Sequence, residues 1–147
     1  MTTWASVIQD PRVFEISLFA FVGLGLEVIG TAAIDFRKDE EGQLVGYSSV
    51  WYIPFYALGP FLLFHVFHRA LFALPFYVRG PLYALVFWAV EYCGMGLLRL
   101  MRGKSPSEDS YYRSRWNVHG LIRLDFGPLL IVLGFVFEWV FRHLRGL

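Results

Sequence analysis

Residues 13–34 read VFEISLFAFVGLGLEVIGTAAI. As a helix, a run of roughly 20 such residues crosses a hydrocarbon core of about 30 Å. Pro11 stands just ahead of it, where a missing N–H costs a helix nothing. Glu27 interrupts the run near its last third. A bare carboxylate at the bilayer centre costs about 2.5 kcal/mol or more, so such residues face a bundle interior, find a partner and mark a site. Gly23, Gly25 and Gly30 permit close helix approach, although they do not form a strict GxxxG.

Three further segments follow the same pattern. Residues 50–67 (VWYIPFYALGPFLLFHVF) carry Pro54 and Pro60, which kink a membrane helix. Residues 82–100 (LYALVFWAVEYCGMGLLRL) hold Glu91 at their middle and lead to Arg99 and Arg102, which can snorkel to headgroups. Residues 121–141 (LIRLDFGPLLIVLGFVFEWVF) open with Arg123 and Asp125 and carry Glu138 near the other end. The chain is 56% hydrophobic and 17% charged, a composition suited to lipid as solvent. The reading is an all-α, polytopic membrane helical bundle of about four transmembrane helices with a polar intramembrane cluster. It forms one integral-membrane domain over residues 1–147, with both termini on one side.

Between these spans the chain is wetter. The stretch DFRKDEEGQLVGYSS mixes charge signs and reads as a solvated loop, with Asp39, Glu40 and Glu41 as wet surface. Residues 70–80 (ALFALPFYVRG) are too short to span, and either extend the second segment or lie along the interface. The loop from Met101 to Gly120 is basic and aromatic, with Arg102, Lys104, Arg113, Arg115, Tyr111, Tyr112 and Trp116. That mixture fits a membrane–water interface or an anionic headgroup. Arg37, Lys38 and the cations of this loop outnumber those on the opposite side, which favours their side as cytoplasmic.

Several function classes fall away. A net charge of +1 supplies no basic face for nucleic acid. The single cysteine, Cys93, gives neither a disulfide framework nor metal spacing, and reads as a small core residue. The N-terminus lacks a basic n-region and a cleavage site, so the first apolar segment is expected to be retained as an anchor. His65 and His68 share one helix face, but no third ligand is evident, so they read as an interfacial pair rather than a metal site. No cofactor motif occurs, and the phosphate-binding G-x-x-x-x-G-K-[ST] is missing. The aromatic content of 19% reads as ring packing and interfacial belts.

The densest polar group is Asn117, His119, Arg123 and Asp125. Arg123 is permanently charged and needs anions, for which Asp125, Glu27, Glu91 and Glu138 are the natural partners. Four carboxylates against one guanidinium leave −3, so some are protonated or something is bound. Like charges crowded in low dielectric disfavour one another's ionisation. The bland alternative is a buried clasp that only fixes helix packing.

Four patches carry a resemblance: GLGLEVIGTAAIDF (23–36), GYSSVWYIPFYALG (46–59), EYCGMGLL (91–98) and NVHGLIRLDFGPL (117–129). In that order, they make the chain resemble the small bacterial membrane proteins named type IV ABC-transporter components (the CmpB-like family) and their eukaryotic relatives, transmembrane protein 229. The resemblance implies a polytopic membrane protein of four or so helices and no specific activity. The chain departs from it at SEDSYYRSRW, where relatives often carry a Trp-Asp-Tyr-Ser group.

Three functions compete. The first is binding or translocation of a lipid or small polar molecule in a polar cavity lined by Glu27, Glu91, Asn117, His119, Arg123, Asp125 and Glu138. The second is an intramembrane enzyme acting on a lipid-like substrate, with Glu91 or Asp125 as general acid or base and His119 as relay. The third is a structural or assembly factor. Membrane lipids are the expected partners, in a bacterial inner membrane, and a homodimer would compensate for the small volume that four short helices enclose.

Overall fold

Asp10 and Pro11 set the first helix going. The Asp10 carboxylate accepts the backbone N–H of Arg12 at 2.8 Å, satisfying one of the donors a helix start leaves open. Pro11 follows at the first helical position, where its fixed φ suits the turn. The computed structural model describes residues 10–35 and 45–147. The N-terminal leader reading of residues 1–9 and the loop reading of Asp39, Glu40 and Glu41 lie outside the described residues.

The long helices are α1 (Pro11–Asp35), α2 (Ile53–Ala73), α3 (Phe76–Arg102) and α5 (Gly127–Arg145), with a short α4 (Glu108–Tyr112). Among the described residues, four stretches are long and apolar enough to cross a membrane: Pro11–Ile34, Val50–Ala73, Phe76–Arg102 and Leu124–Arg145. The protein is an integral, multi-pass, all-α membrane protein. A two-residue antiparallel ladder, β1 (Asn117–Val118) with β2 (Ile122–Arg123), interrupts the helices.

Two expected boundaries move. Residues 70–73 complete α2, and residues 76–80 belong to α3, which runs on through Pro81. The break falls at Leu74–Pro75, because a residue before proline is pushed out of the α region. Pro81 gives up its bond near the start of α3, where little of the ladder depends on it. The fourth helix begins at Gly127 rather than Leu121. Residues 117–126 form the ladder and a 3-10 turn instead, so Arg123 and Asp125 stand outside the long helix.

Two groups of residues each pack within themselves: those up to Val66 with Phe137–Leu147, and Phe67–Val136. In the first, Phe19 meets Phe137 edge-on at 5.5 Å, and Phe64 stacks on Phe141 at 5.4 Å. Such pairs contribute about 0.5–1.5 kcal/mol beyond the area they bury. Gly23 admits the Tyr56 ring, because a Cβ there would fall 2.4 Å from Tyr56 Cγ. Thr31 Oγ1 ties the incoming loop to α1 by accepting the Tyr47 N–H and donating to the Tyr47 carbonyl, both at 3.0 Å.

In the second group the centre is Tyr83, which is fully buried. Gly134 sits against it, and a Cβ there would lie 2.5 Å from Tyr83 Cβ. Phe135 meets the same ring edge-on at 5.6 Å. Trp88 covers Gly127 and donates its indole N–H to the Arg123 carbonyl at 3.1 Å. Cys93, expected in the core, is exposed instead. In a chain whose solvent is lipid, an apolar window does not separate inside from outside. Phe21 and Leu100 are likewise exposed.

Candidate functional site

The hairpin and the 3-10 turn before α5 gather most of the candidate residues. The chain reverses at His119 and Gly120, whose φ values are 55° and 68°. Both are left-handed, the pair of signs a tight primed hairpin turn demands. Asn117 builds this reversal with its side-chain amide. Its Nδ2 donates to the Ser114 carbonyl at 2.6 Å, and its Oδ1 accepts the Gly120 N–H at 3.1 Å. The His119 carbonyl receives Arg99 Nη2 at 2.6 Å and the Tyr112 hydroxyl at 3.1 Å. Its ring Nδ1 lies 2.9 Å from the Tyr92 hydroxyl.

Arg123 is 2% exposed. Its fork grips Asp125 two residues on, with Nε to Oδ1 at 3.1 Å and Nη2 to Oδ2 at 2.6 Å. The guanidinium also lies over the Phe126 ring, 4.2 Å from its centroid. Phe126 meets Tyr111 edge-on at 6.0 Å, and the Tyr111 hydroxyl donates to Glu91 Oε1 at 2.7 Å. Ser114 Oγ reaches Asp125 Oδ2 at 3.4 Å. Glu91, Tyr111, Phe126, Arg123 and Asp125 thus form one continuous chain of contacts. The Asp125 side chain remains 26% exposed, so the buried cation is reached from outside through its carboxylate partner.

The loop before the hairpin is braced by Glu108. Its Oε2 accepts the Ser105 N–H and Arg99 Nε, each at 3.0 Å. The backbone N–H of Ser105, followed by the Arg99 guanidinium, holds this carboxyl below its ordinary value of 4.5. Glu108, the first residue of α4, thus reaches back three residues to a backbone N–H ahead of the helix.

Five of the expected ligand residues, Glu91, Asn117, His119, Arg123 and Asp125, therefore lie in the second group. Glu27 and Glu138 belong to the first. Glu27 accepts the Ser48 hydroxyl at 2.5 Å, and Glu138 lies 3.1 Å from Arg142 one turn on. His65 uses both ring nitrogens, one at 2.8 Å from the Phe61 carbonyl and the other facing Arg145. Sequence reading passed over Glu15, which is 3% exposed and lies 3.0 Å from Arg145 Nη2. A signal was present: Glu15, Phe19, Gly23, Glu27 and Thr31 recur at every fourth residue, the spacing of one helix face. Tyr111, which its basic and aromatic loop places at an interface, is instead buried against Glu91.

No protein-family model matches the chain, and neither a curated protein nor a solved structure matches it.

Proposed function

We propose that this protein binds or translocates a lipid or small polar molecule, and that the recognition site is Arg123 with Asp125, Glu91, Asn117 and His119. One observation carries the reading. A guanidinium with almost no exposure is paired to a carboxylate that remains partly exposed, on a turn that opens a membrane-spanning segment. An anionic headgroup arriving at Asp125 would compete for donors that are already aimed, so little ordering cost would remain. The surrounding basic and aromatic loop supplies the interfacial setting a lipid headgroup needs. The bacterial inner membrane is the proposed location, and a homodimer would enlarge the enclosed volume.

The Arg123–Asp125 bonds join residues two apart and so fasten a turn, while the contacts from Arg123 through Phe126 and Tyr111 reach Glu91 on α3. A second reading, acid–base chemistry on a lipid-like substrate, draws on the hydrogen bond from Tyr111 to Glu91. Its mark would be turnover lost in Glu91→Gln with the fold retained.

The test is lipid and metabolite analysis of the purified protein, comparing wild type with Arg123→Ala and Asp125→Asn. A defined species that co-purifies with wild type and is depleted at least tenfold in folded Arg123→Ala supports the site. The same species retained in both folded variants, or none in wild type, overturns it.

A further inference from the structure

The first packing group holds a second constellation, independent of Arg123. Glu15 comes from α1, His65 from α2 and Arg145 from the last turn of α5. Arg145 Nη2 donates to Glu15 Oε2 at 3.0 Å and faces His65 Nε2 within hydrogen-bond reach. An arginine N–H can only donate, so Nε2 must present its lone pair. The ring proton then resides on Nδ1 and is donated to the Phe61 carbonyl at 2.8 Å. His65 is therefore neutral in this arrangement, and the three groups sum to zero charge.

Glu15 keeps something in reserve. Its Oε1 is buried and has no hydrogen-bond partner among the described residues. Its Oε2 already lies 3.6 Å from His65 Nε2. The His65 side chain is 27% exposed and the Arg145 side chain 44%, so neither is sealed inside the packed helices and the arginine has somewhere to go.

We propose that Glu15, His65 and Arg145 form a proton-binding site, in which one proton taken up at His65 Nε2 transfers Glu15 from Arg145 to the imidazolium. Protonation would set an imidazolium N–H against an arginine N–H, donor against donor. Arg145 must leave, and Glu15 accepts the new N–H with a carboxylate whose second oxygen is uncommitted. No covalent bond other than N–H forms, and the proton comes from water.

The groups around His65 fit this exchange. From α1 it meets Glu15. From α5 it meets Arg145 and the edge-on Phe141 ring at 5.4 Å. The Phe61 ring lies against it from α2, tilted by 31° with centroids 4.1 Å apart. Further charges stand one turn along the same helices: Arg12 from Glu15, His68 and Arg69 from His65, and Arg142 from Arg145, with Glu138 one turn beyond Arg142. Since Arg145 closes α5, its departure loosens the C-terminal end of the chain.

The experiment uses full-length protein in lipid nanodiscs, with Cys93→Ala and a spin label at Leu147→Cys. The label's mobility is followed from pH 8 to pH 5. In the parent it should rise along a one-proton curve, and in His65→Gln, whose amide oxygen still accepts from Arg145, it should stay flat. A transition that survives in folded His65→Gln, or none in the parent, overturns the proposal. If His65→Gln does not fold, 15N spectra of a protein with His65 as its sole histidine decide. Nε2 must change from unprotonated to protonated over the same pH range as the label, and an unchanged Nε2 overturns the proposal.

Discussion

The Arg123 guanidinium holds the Asp125 carboxylate through two hydrogen bonds, yet the two side chains differ sharply in access to solvent, at 3% and 26% exposure. That inequality predicts an asymmetric response. Asp125→Ala takes two charge-assisted bonds from a cation that water scarcely reaches, and should cost about 2–3 kcal/mol. Arg123→Ala leaves a carboxylate that water can partly solvate and should cost less, about 1–2 kcal/mol after allowing for lost packing on Phe126. Unfolding of both variants and the double variant in detergent gives the comparison. Equal costs would contradict the unequal burial.

Gly120 and Gly103 pose a cleaner contrast. Both have positive φ, at 68° and 79°. An alanine at either pays about 1–2 kcal/mol for the left-handed backbone. At Gly103 a Cβ meets nothing within 4 Å, whereas at Gly120 it falls 2.6 Å from the Tyr112 ring. Gly120→Ala must also displace a ring whose hydroxyl holds the His119 carbonyl. Thermal unfolding should rank Gly120→Ala well below Gly103→Ala, and hydrogen exchange at 117–123 should rise in the former alone.

Acid should act on the loop through Glu108. Its carboxyl ionises below the ordinary 4.5, chiefly because the Ser105 N–H binds the charged form. The stabilising contribution is therefore complete above pH 4.5 and disappears as pH falls through the lower folded value. Hydrogen-exchange protection of residues 105–112 should drop across that window in wild type. In Glu108→Gln it should already be reduced at pH 7 and change little on acidification.

How legible was this molecule in its sequence? Hydropathy alone located the four spans, because a membrane helix must carry its apolar residues continuously. The edges were harder. Leu121–Phe126 is as apolar as the helix behind it, so periodicity could not reveal that His119 and Gly120 reverse the chain there. Cys93 was misplaced for a related reason: lipid-facing and core residues share one composition. Arg123 and Asp125 were singled out because charge in an apolar run is conspicuous. Asp125 stood among the partners expected for Arg123 and does hold it; what no periodicity shows is the backbone bend that brings the two together two residues apart. Glu15 stands at the third position of the 13–34 run, where a carboxylate can pass for part of a wet helix end, although its place on the row with Phe19 and Gly23 marks it as inward-facing.

Glycines on the long helices separate packing from propensity. Gly25 has open space where a Cβ would stand, whereas Gly134 would set one 2.5 Å from Tyr83 Cβ. That neighbour is anchored next to the α3 backbone and cannot swing aside like the tip of a long side chain. Gly25→Ala gains helix propensity and should be neutral or stabilising by up to about 1 kcal/mol. Gly134→Ala must push α5 from α3 or rotate Tyr83 off its rotamer, a change that costs about 1–3 kcal/mol in a packed interior. Lipid offers no hydrophobic drive to bring helices back together, so close contacts between small residues carry much of their association. Thermal denaturation in one detergent should move the two variants in opposite directions, or at least leave Gly25→Ala unchanged. A Gly134→Ala protein as stable as wild type would mean that Tyr83 does not pack there.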